Sequence, residues 1–339
     1  MIQRPLIRSL RVLFVAAATF SILAHSVTAS ADEKVSVRLR WLPQAQFAGY
    51  YVAKAKGFYK EKGLDVTINP GGPNITVETL VGSGADTFGV GGGPEAMLYA
   101  REKGLPLICV GMTLQQSPHV FVALKKSGIK TLADFKGKKV STWFTGAQYT
   151  LYAMLATQGI KPTDMTIVPQ AATMTPFVDG EFQVATATRY NEFVTLQEQG
   201  VTDLTVFKPA DFGITAQADS IVTNEAFLKA HPDQVQAFLA ATLEGWKYAL
   251  QHKTEAIDIV MAAAPSANKA HQVAMLNQLD GLITAGKDGS KGIGRIDMDI
   301  VKTIQARLIK YDALKKPVDL NAAFDTSVWD KVPAEDKSL

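Results

Sequence analysis

Residues 40–66 read RWLPQAQFAGYYVAKAKGFYKEKGLDV and predict how this chain begins to fold. A strand-like run, Val35–Leu39, ends just before Trp41, and an aromatic-rich helical segment follows at once. Open α/β sheets bind ligands at the carboxyl ends of their strands, which is the position of Trp41. The indole of Trp41 is therefore expected either to face a ligand or to pack in the core. The residues alone leave both interpretations open.

Short apolar runs alternate with helical patterns from Val35 to about residue 217. Leu64–Ile68 alternates like a strand, and Pro94–Lys103 reads as a helix with Pro at its first position. Further strands are predicted at Thr87–Val90, Leu107–Val110, Val120–Leu124, Lys139–Thr142, Thr166–Pro169, Val184–Thr188 and Leu204–Phe207. This rhythm indicates an α/β fold with mainly parallel sheets flanked by helices. A second βα series begins near Lys125, which predicts a second lobe with its own sheet.

The chain changes character after Ala218 and is predicted to be mostly helical. One helical face is formed, at a period of 3.6 residues, by Val235, Phe238, Leu239, Thr242, Leu243, Trp246 and Leu250. No third strand-rich unit follows, so these helices are expected to pack back on the first lobe. We therefore predict lobe 1 at residues 33–123 and 220–325, lobe 2 at residues 125–217, and two crossings between them.

The first 31 residues have the composition of a cleavable export signal. Three arginines precede or enter the apolar run 12–24, and Ala29-Ser30-Ala31 supplies a cleavage site before Asp32. A membrane anchor is the alternative, although the run is shorter than the roughly 20 residues that a span needs. Without those three arginines the 35 basic residues become 32, equal to the 32 acidic residues. We expect a soluble periplasmic protein with no nucleic-acid or anionic-membrane surface.

Signatures of catalysis and of metal binding are missing from the sequence. The histidines beyond the leader are scattered, and neither a zinc-protease motif nor a nucleophile elbow occurs. The single cysteine, Cys109, lies in an apolar run and is expected to be a small core residue. We therefore expect no catalytic residue, no metal site and no cofactor.

One glycine-rich loop, FGVGGGPE at residues 88–95, follows a strand and opens a helix. Pro94 occupies the third glycine position of a dinucleotide fingerprint, and Glu95 in the first helical turn would repel a phosphate. We interpret the loop as a tight turn that faces a ligand or a hinge, with Gly93 as the candidate ligand contact.

Aromatic and amide side chains cluster where predicted strands end. They are Trp41, Gln44 and Gln46 after the first strand, Trp143 after the strand ending at Thr142, and Tyr190, Asn191 and Glu192 after the strand ending at Thr188. Rings can stack on a flat small molecule while amides and a carboxylate hydrogen-bond its edge. Core packing and helix capping are the alternative for any one of these residues. We predict that together they line a site for a small heteroaromatic molecule.

The segment Trp41–Ala53, with KGFY at residues 56–59 and GLDV at residues 63–66, resembles the opening of a known family. This family comprises the substrate-binding proteins of ABC importers for thiamine pyrimidine precursors, sulfonates and related compounds. The similarity continues through residues 84–90 and 132–140 and covers essentially the whole mature chain. It implies a two-lobed periplasmic binding fold of type II, with an ABC permease and its ATPase as partners. We expect the protein to be a monomer.

The resemblance also implies roles for particular residues. In the pyrimidine-binding branch a Trp after the first strand and a Tyr-x-Glu-like segment line the cleft, which corresponds to Trp41, Tyr190 and Glu192 here. A thiamine pyrimidine precursor is the expected ligand, with sulfonates, flavins and aromatic acids as alternatives. A fungal pyrimidine synthase shares this opening but has Asn-His at the positions of Gln46 and Phe47, and it carries a cysteine-rich motif. We therefore expect a binding protein and not an enzyme.

Overall fold

The computed structural model of the protein describes Met1 and residues 32–144, 146–285 and 292–339. The predicted export signal, residues 1–31, lies outside the described residues except for Met1. No helix within the described ranges is both long enough and apolar enough to cross a membrane. Asp32–Leu339 forms one compact unit, and its fold positions the candidate site.

Within the described residues the strands form two sheets of five strands each. In chain order they are β1 (Glu33–Arg38), β2 (Leu64–Asn69), β3 (Phe88–Val90), β4 (Leu107–Leu114), β5 (His119–Leu124), β6 (Lys139–Thr142), β7 (Thr166–Pro169), β8 (Val184–Thr188), β9 (Leu204–Phe207) and β10 (Ala218–Asn224). The first sheet has the order β2-β1-β3-β10-β4, and the second has the order β7-β6-β8-β5-β9. One strand in each sheet, β10 or β5, runs antiparallel to both neighbours, and the remaining pairs are parallel. The predicted class, α/β with mainly parallel sheets, is confirmed.

The chain is mostly helical after Ala218, as expected, but this part begins with one central strand, β10, that the sequence pattern does not predict. It lies between β3 and β4, with Val222 opposite Gly89 on one side and Cys109 on the other. Its residues are buried from Ala218 through Thr223, so it lacks the alternating exposure of a half-buried strand. Polar residues interrupt the apolar run by which a central strand would be recognised from sequence.

Strand β5 belongs to the second sheet, which bears on where the two lobes divide. It begins at His119 and pairs with β8 and β9, so the chain has entered the second sheet before residue 123. The order of elements along the chain does not reveal these pairings, because β5 follows β4 directly. The chain returns to the first sheet between Phe207 and Ala218. We propose lobe 2 at residues 119–217 and lobe 1 on either side of it.

Helices cover both sheets. The helices before β10 are α1 (Ala48–Ala55), α2 (Phe58–Glu61), α3 (Val77–Gly82), α4 (Pro94–Glu102), α5 (Ala147–Ala156), α6 (Thr175–Val178) and α7 (Glu192–Glu198). Those after β10 are α8 (Glu225–Ala230), α9 (Pro232–Gln251), α10 (Lys253–Ala263), α11 (Lys269–Ile283), α12 (Met298–Lys310), α13 (Leu320–Ala323), α14 (Thr326–Asp330) and α15 (Ala334–Lys337).

The helices after β10 pack on the first sheet and its helices. Helix α9 approaches α1 so closely that a Cβ on Gly49 would overlap the indole of Trp246, and one on Gly245 would overlap the Gly49 carbonyl. Trp329 of α14 belongs to the same core, and its indole N–H donates to the Ile293 carbonyl (2.8 Å). We therefore propose that lobe 1 extends past residue 325.

Candidate functional site

A cleft lies where strands from both sheets end. Trp41 follows β1, Trp143 follows β6 and Tyr190 follows β8, so side chains from the two sheets meet across it. The lining residues are Arg40, Trp41, Gln44, Gln46, Pro118, His119, Trp143, Ala147, Thr188, Tyr190, Asn191 and Glu192. The cavity volume is about 40 Å³, which leaves space for a few water molecules and not for a ring. A ring-sized ligand therefore requires the two sides of the cleft to separate.

Two indoles face each other across this cleft. The ring centroids of Trp41 and Trp143 are 6.0 Å apart and the ring planes meet at 68°, which is an edge-to-face contact. The backbone of Trp41 is fixed in lobe 1, where the Gly71 N–H donates to its carbonyl (3.0 Å). The indole N–H of Trp143 donates to the Ala171 carbonyl in lobe 2 (3.3 Å). Neither indole is fully buried, so ring area of both remains available in the cleft.

A chain of hydrogen bonds forms the lobe 1 side of the cleft. Gln44 Nε2 donates to Gln46 Oε1 (2.8 Å), and Gln46 Nε2 donates to Asp219 Oδ2 (2.9 Å). The other oxygen of this carboxylate, Oδ1, accepts from Arg40 Nη1 (3.0 Å). Gln44 thus orients the amide of Gln46, and Gln46 in turn orients the carboxylate.

Asp219 has an unusual backbone as well as a buried side chain. It is 2% exposed and has a φ of 54°, in the left-handed region that residues other than glycine rarely adopt. Such backbone strain concentrates at functional sites. Burial raises the pKa of Asp219, and the attraction of Arg40 and the Gln46 hydrogen bond oppose that shift. Both oxygens accept hydrogen bonds, which is the pattern of an ionised carboxylate.

The lobe 2 side of the cleft is organised by Glu192 at the start of α7. Its Oε2 accepts from the Thr188 backbone N–H (3.0 Å) and hydroxyl (2.6 Å), and its Oε1 accepts from Asn191 Nδ2 (2.6 Å). Burial raises the pKa of Glu192, while the hydrogen bonds from Thr188 and Asn191 lower it. The carboxylate therefore fixes the β8–α7 turn and keeps only its remaining lone pairs for a ligand.

His119 and Tyr190 add uncharged polar groups to the cleft. Burial and the nearby Arg40 guanidinium lower the pKa of His119 to about 3, so its imidazole is neutral near pH 7. Neither ring nitrogen hydrogen-bonds to another of the residues that the structure describes. Tyr190 is 4% exposed, and burial raises its pKa well above the ordinary value, so the phenol also stays neutral.

Helix α11 contacts both sides of the cleft, through His271 on one side and Gln272 on the other. Its Nε2 lies 2.9 Å from Asn191 Oδ1, and its Nδ1 lies 2.8 Å from Glu198 Oε2. The next residue, Gln272, accepts from the Ala45 backbone N–H through Oε1 (2.7 Å) on the lobe 1 side. These contacts join α11 to α7 and connect His271 to the cleft through Asn191.

Seven of the eight residues proposed from sequence line this cleft: Trp41, Gln44, Gln46, Trp143, Tyr190, Asn191 and Glu192. Gly93 does not; it lies against the backbone of Gln217, just before β10. Sequence reasoning missed Arg40, His119 and Asp219. For two of them the sequence offers a signal, which is a charge in an apolar setting: Arg40 stands beside Trp41, and Asp219 lies within the run that forms β10. Among the described residues no cluster of histidine, cysteine and carboxylate side chains is arranged to hold a metal.

The sequence of this chain matches a known protein family. Residues 44–256, most of the chain, match the family described as NMT1/THI5 like. The chain belongs to the NMT1/THI5-like family. This membership confirms the resemblance seen in the sequence around Trp41.

Relatives with similar sequences carry names from two functional classes. The chain is 28% identical to the riboflavin-binding protein RibY of Chloroflexus aurantiacus, over 86% of this chain and 85% of the relative. It is 26% identical to the formylaminopyrimidine-binding protein of Halalkalibacterium halodurans, over 88% and 92%. It is also 27% identical to the 4-amino-5-hydroxymethyl-2-methylpyrimidine phosphate synthase of Legionella pneumophila, over 70% and 75%. The relatives of this chain thus include proteins named as binding proteins and a protein named as an enzyme.

A solved structure supports the fold assignment. The periplasmic aliphatic sulphonate binding protein SsuA of Escherichia coli superposes with a TM-score of 0.66 at 16% identity, over 86% of this chain and 91% of that one. The two five-stranded sheets with flanking helices are therefore a periplasmic binding protein fold, as the sequence resemblance implied.

Proposed function

We propose that this protein is the periplasmic solute-binding component of an ABC importer. It captures a small planar heteroaromatic solute in the cleft and delivers it to the permease and its ATPase. The observation that carries this proposal is the pair of indoles, Trp41 from one lobe and Trp143 from the other, which face each other across a cleft at the carboxyl ends of strands. A flat ring that enters between them can stack on one indole and meet the other edge-to-face.

Lobe closure is the mechanism that this geometry supports. The chain passes between the sheets twice, so bending of the two connecting segments can open the cleft. In the present arrangement Trp41 meets Trp143 and His271 meets Asn191, contacts that join the two lobes. A ligand that touches both lobes shifts the population toward the closed form in proportion to its extra affinity for that form. Closure then marks the loaded protein for the permease.

The ligand we propose is a thiamine pyrimidine precursor or a related ring such as a flavin. The names of the relatives RibY and the formylaminopyrimidine-binding protein support this class. The polar groups of Arg40, His119 and Tyr190 can hydrogen-bond a ring edge that carries carbonyl oxygens, ring nitrogens or amino groups. A sulfonate is the alternative, supported by similarity of fold to SsuA.

We further propose that the protein binds its solute without changing it. Phe47 takes the place of the histidine of the fungal synthase pattern and is fully buried. Cys109 is also fully buried, and burial raises the pKa of its thiol to about 12, so it is an inert core residue. Neither position offers a reactive group to the cleft.

The test is calorimetry and thermal denaturation of the mature protein with riboflavin, formylaminopyrimidine and an alkanesulfonate. A true ligand at about 100 times its dissociation constant adds roughly 2.7 kcal/mol to the unfolding free energy. Recovery of the ligand after incubation, followed by mass spectrometry, tests for turnover. Binding of a ring compound with full recovery supports the proposal; conversion of the compound, or binding of the alkanesulfonate alone, contradicts it.

A further inference from the structure

The cleft contains a single permanent positive charge, and a neighbouring carboxylate already matches it. Of the described residues that line the cleft, Arg40 alone is a permanent cation. Its Nη1 donates to Asp219 Oδ1, and within the described residues this is the only hydrogen bond of its guanidinium. The remaining N–H groups of Arg40 can donate to an uncharged acceptor. No unmatched cation is left for an anion.

The Asp219 carboxylate is held in position from several directions. Its left-handed backbone fixes the direction of the side chain, and Gln46 donates to the oxygen that Arg40 does not use. Gln44 in turn donates to Gln46, so both glutamines point their amides toward the carboxylate. A buried charge is costly unless it is paired and hydrogen-bonded, and this set of contacts meets both conditions for Asp219.

The other ionisable groups of the cleft do not supply a positive charge. Burial and Arg40 lower the pKa of His119 to about 3, so the imidazole remains neutral near pH 7. Tyr190 is neutral for the same reason of burial. Glu192 is acidic and is engaged by Thr188 and Asn191. An anionic ligand would therefore lose its hydration and gain no free counter-charge.

We propose that Asp219 makes the cleft selective for uncharged solutes, because it cancels Arg40 and so excludes sulfonates and other anions. This inference deepens the proposed function and rests on the cleft being the solute site. Asp219 is then a specificity-determining residue that acts on the ligand through the charge of Arg40. An accepted solute carries no formal charge, and Arg40 donates hydrogen bonds to the edge of its ring.

Asp219→Asn tests the charge while keeping the hydrogen bonds. Asparagine tolerates a left-handed backbone as well as aspartate does. Its oxygen can still accept from Arg40, and its amide can donate to Gln46 Oε1 if the Gln46 and Gln44 amides both turn over. The direction of the chain then reverses with no bond lost, and Arg40 becomes an uncompensated cation in the cleft.

The probe is methanesulfonate, titrated by calorimetry at constant ionic strength into the wild type and the variants. We expect Asp219→Asn to bind it at least tenfold more tightly than the wild type. The matched control is Asp86→Asn, which removes a buried carboxylate from another, partly buried Arg–Asp pair, Arg38 Nε to Asp86 Oδ2 (2.8 Å), outside the cleft. This control should bind methanesulfonate as weakly as the wild type does.

The double variant Arg40→Gln/Asp219→Asn removes both charges and should return to the weak binding of the wild type. If Asp219→Asn alone fails to fold, the double variant still tests the inference, because it buries no unpaired charge. Tight binding of methanesulfonate by the double variant would refute the inference. Equal methanesulfonate affinity of wild type and Asp219→Asn would refute it as well. Failure of riboflavin and formylaminopyrimidine to bind the wild type contradicts the proposed function instead, since the methanesulfonate comparison uses neither compound.

Discussion

Replacing Trp41 by Ala separates a ligand-facing indole from a core indole. Loss of a stacked ring weakens binding by about 1–3 kcal/mol, or roughly 5- to 150-fold in the dissociation constant. The folded protein without ligand loses the edge-to-face contact with Trp143, worth about 0.5–1.5 kcal/mol, and part of the packing of a half-buried side chain against the lobe 1 core. We therefore expect a loss of stability near 1 kcal/mol and a larger loss of affinity.

The control for this experiment is Trp246→Ala. Trp246 is fully buried against α1, and truncation of a core Trp costs about 3–5 kcal/mol of unfolding free energy. Calorimetry with whichever of riboflavin and formylaminopyrimidine binds the wild type more tightly gives the affinities, and urea melts give the stabilities. The Trp246 variant should lose stability and keep its affinity wherever it remains folded. If Trp41→Ala behaves like Trp246→Ala, Trp41 is a core residue and the site is wrongly placed.

Three further predictions concern packing, protonation and closure. Gly49→Ala should cost about 1–3 kcal/mol in urea melts because its Cβ would overlap a buried indole, whereas Gly281→Ala, on an open face of α11, should gain about 0.5–1 kcal/mol; equal effects would contradict the packing argument. Burial raises the pKa of Glu95 from 4.5 to about 7, so between those values the folded state holds a proton that the unfolded state has released, and stability should fall as pH rises. The unfolding free energy of Glu95→Gln should therefore exceed that of the wild type by about 3 kcal/mol at pH 8 and equal it at pH 4. A difference in unfolding free energy that does not change with pH would refute this. His271→Ala should weaken ligand binding about 2- to 10-fold, since its hydrogen bond to Asn191 forms between the lobes, and calorimetry showing unchanged affinity would exclude that link.

Most elements of the fold could be predicted from local sequence. Four strands of the second sheet, β6 to β9, have the bounds that their apolar runs and flanking turn residues indicate. Part of the candidate cleft could also be predicted from the sequence, because parallel strands place their carboxyl ends at one edge of a sheet. Trp41, Trp143 and Tyr190 each follow a predicted strand, and the structure brings all three to one cleft.

Three features depended on which strands become neighbours, and the sequence pattern does not reveal that. Strand β10 is inserted between β3 and β4 from far along the chain, so its short, partly polar run gave no clear signal of a central strand. Its position brings Asp219 to Arg40, 179 residues earlier in the chain. Gly93 looked like a ligand contact in its loop, but β10 is preceded by Gln217, whose backbone packs against that glycine.

The sequence by itself determined nine of the ten described strands, the mostly helical C-terminal part and the placement of aromatic residues at strand ends, because these depend on the period of apolar residues and on local turn chemistry. Only the tertiary structure decided what the polar residues do. Gln46 holds Asp219 and Gln44 holds Gln46, instead of both standing free for a ligand edge, and Glu192 ties the start of α7 to β8. A polar side chain acquires its partner from whatever the packing of distant segments places within about 3 Å, and that distance is a property of the assembled sheets.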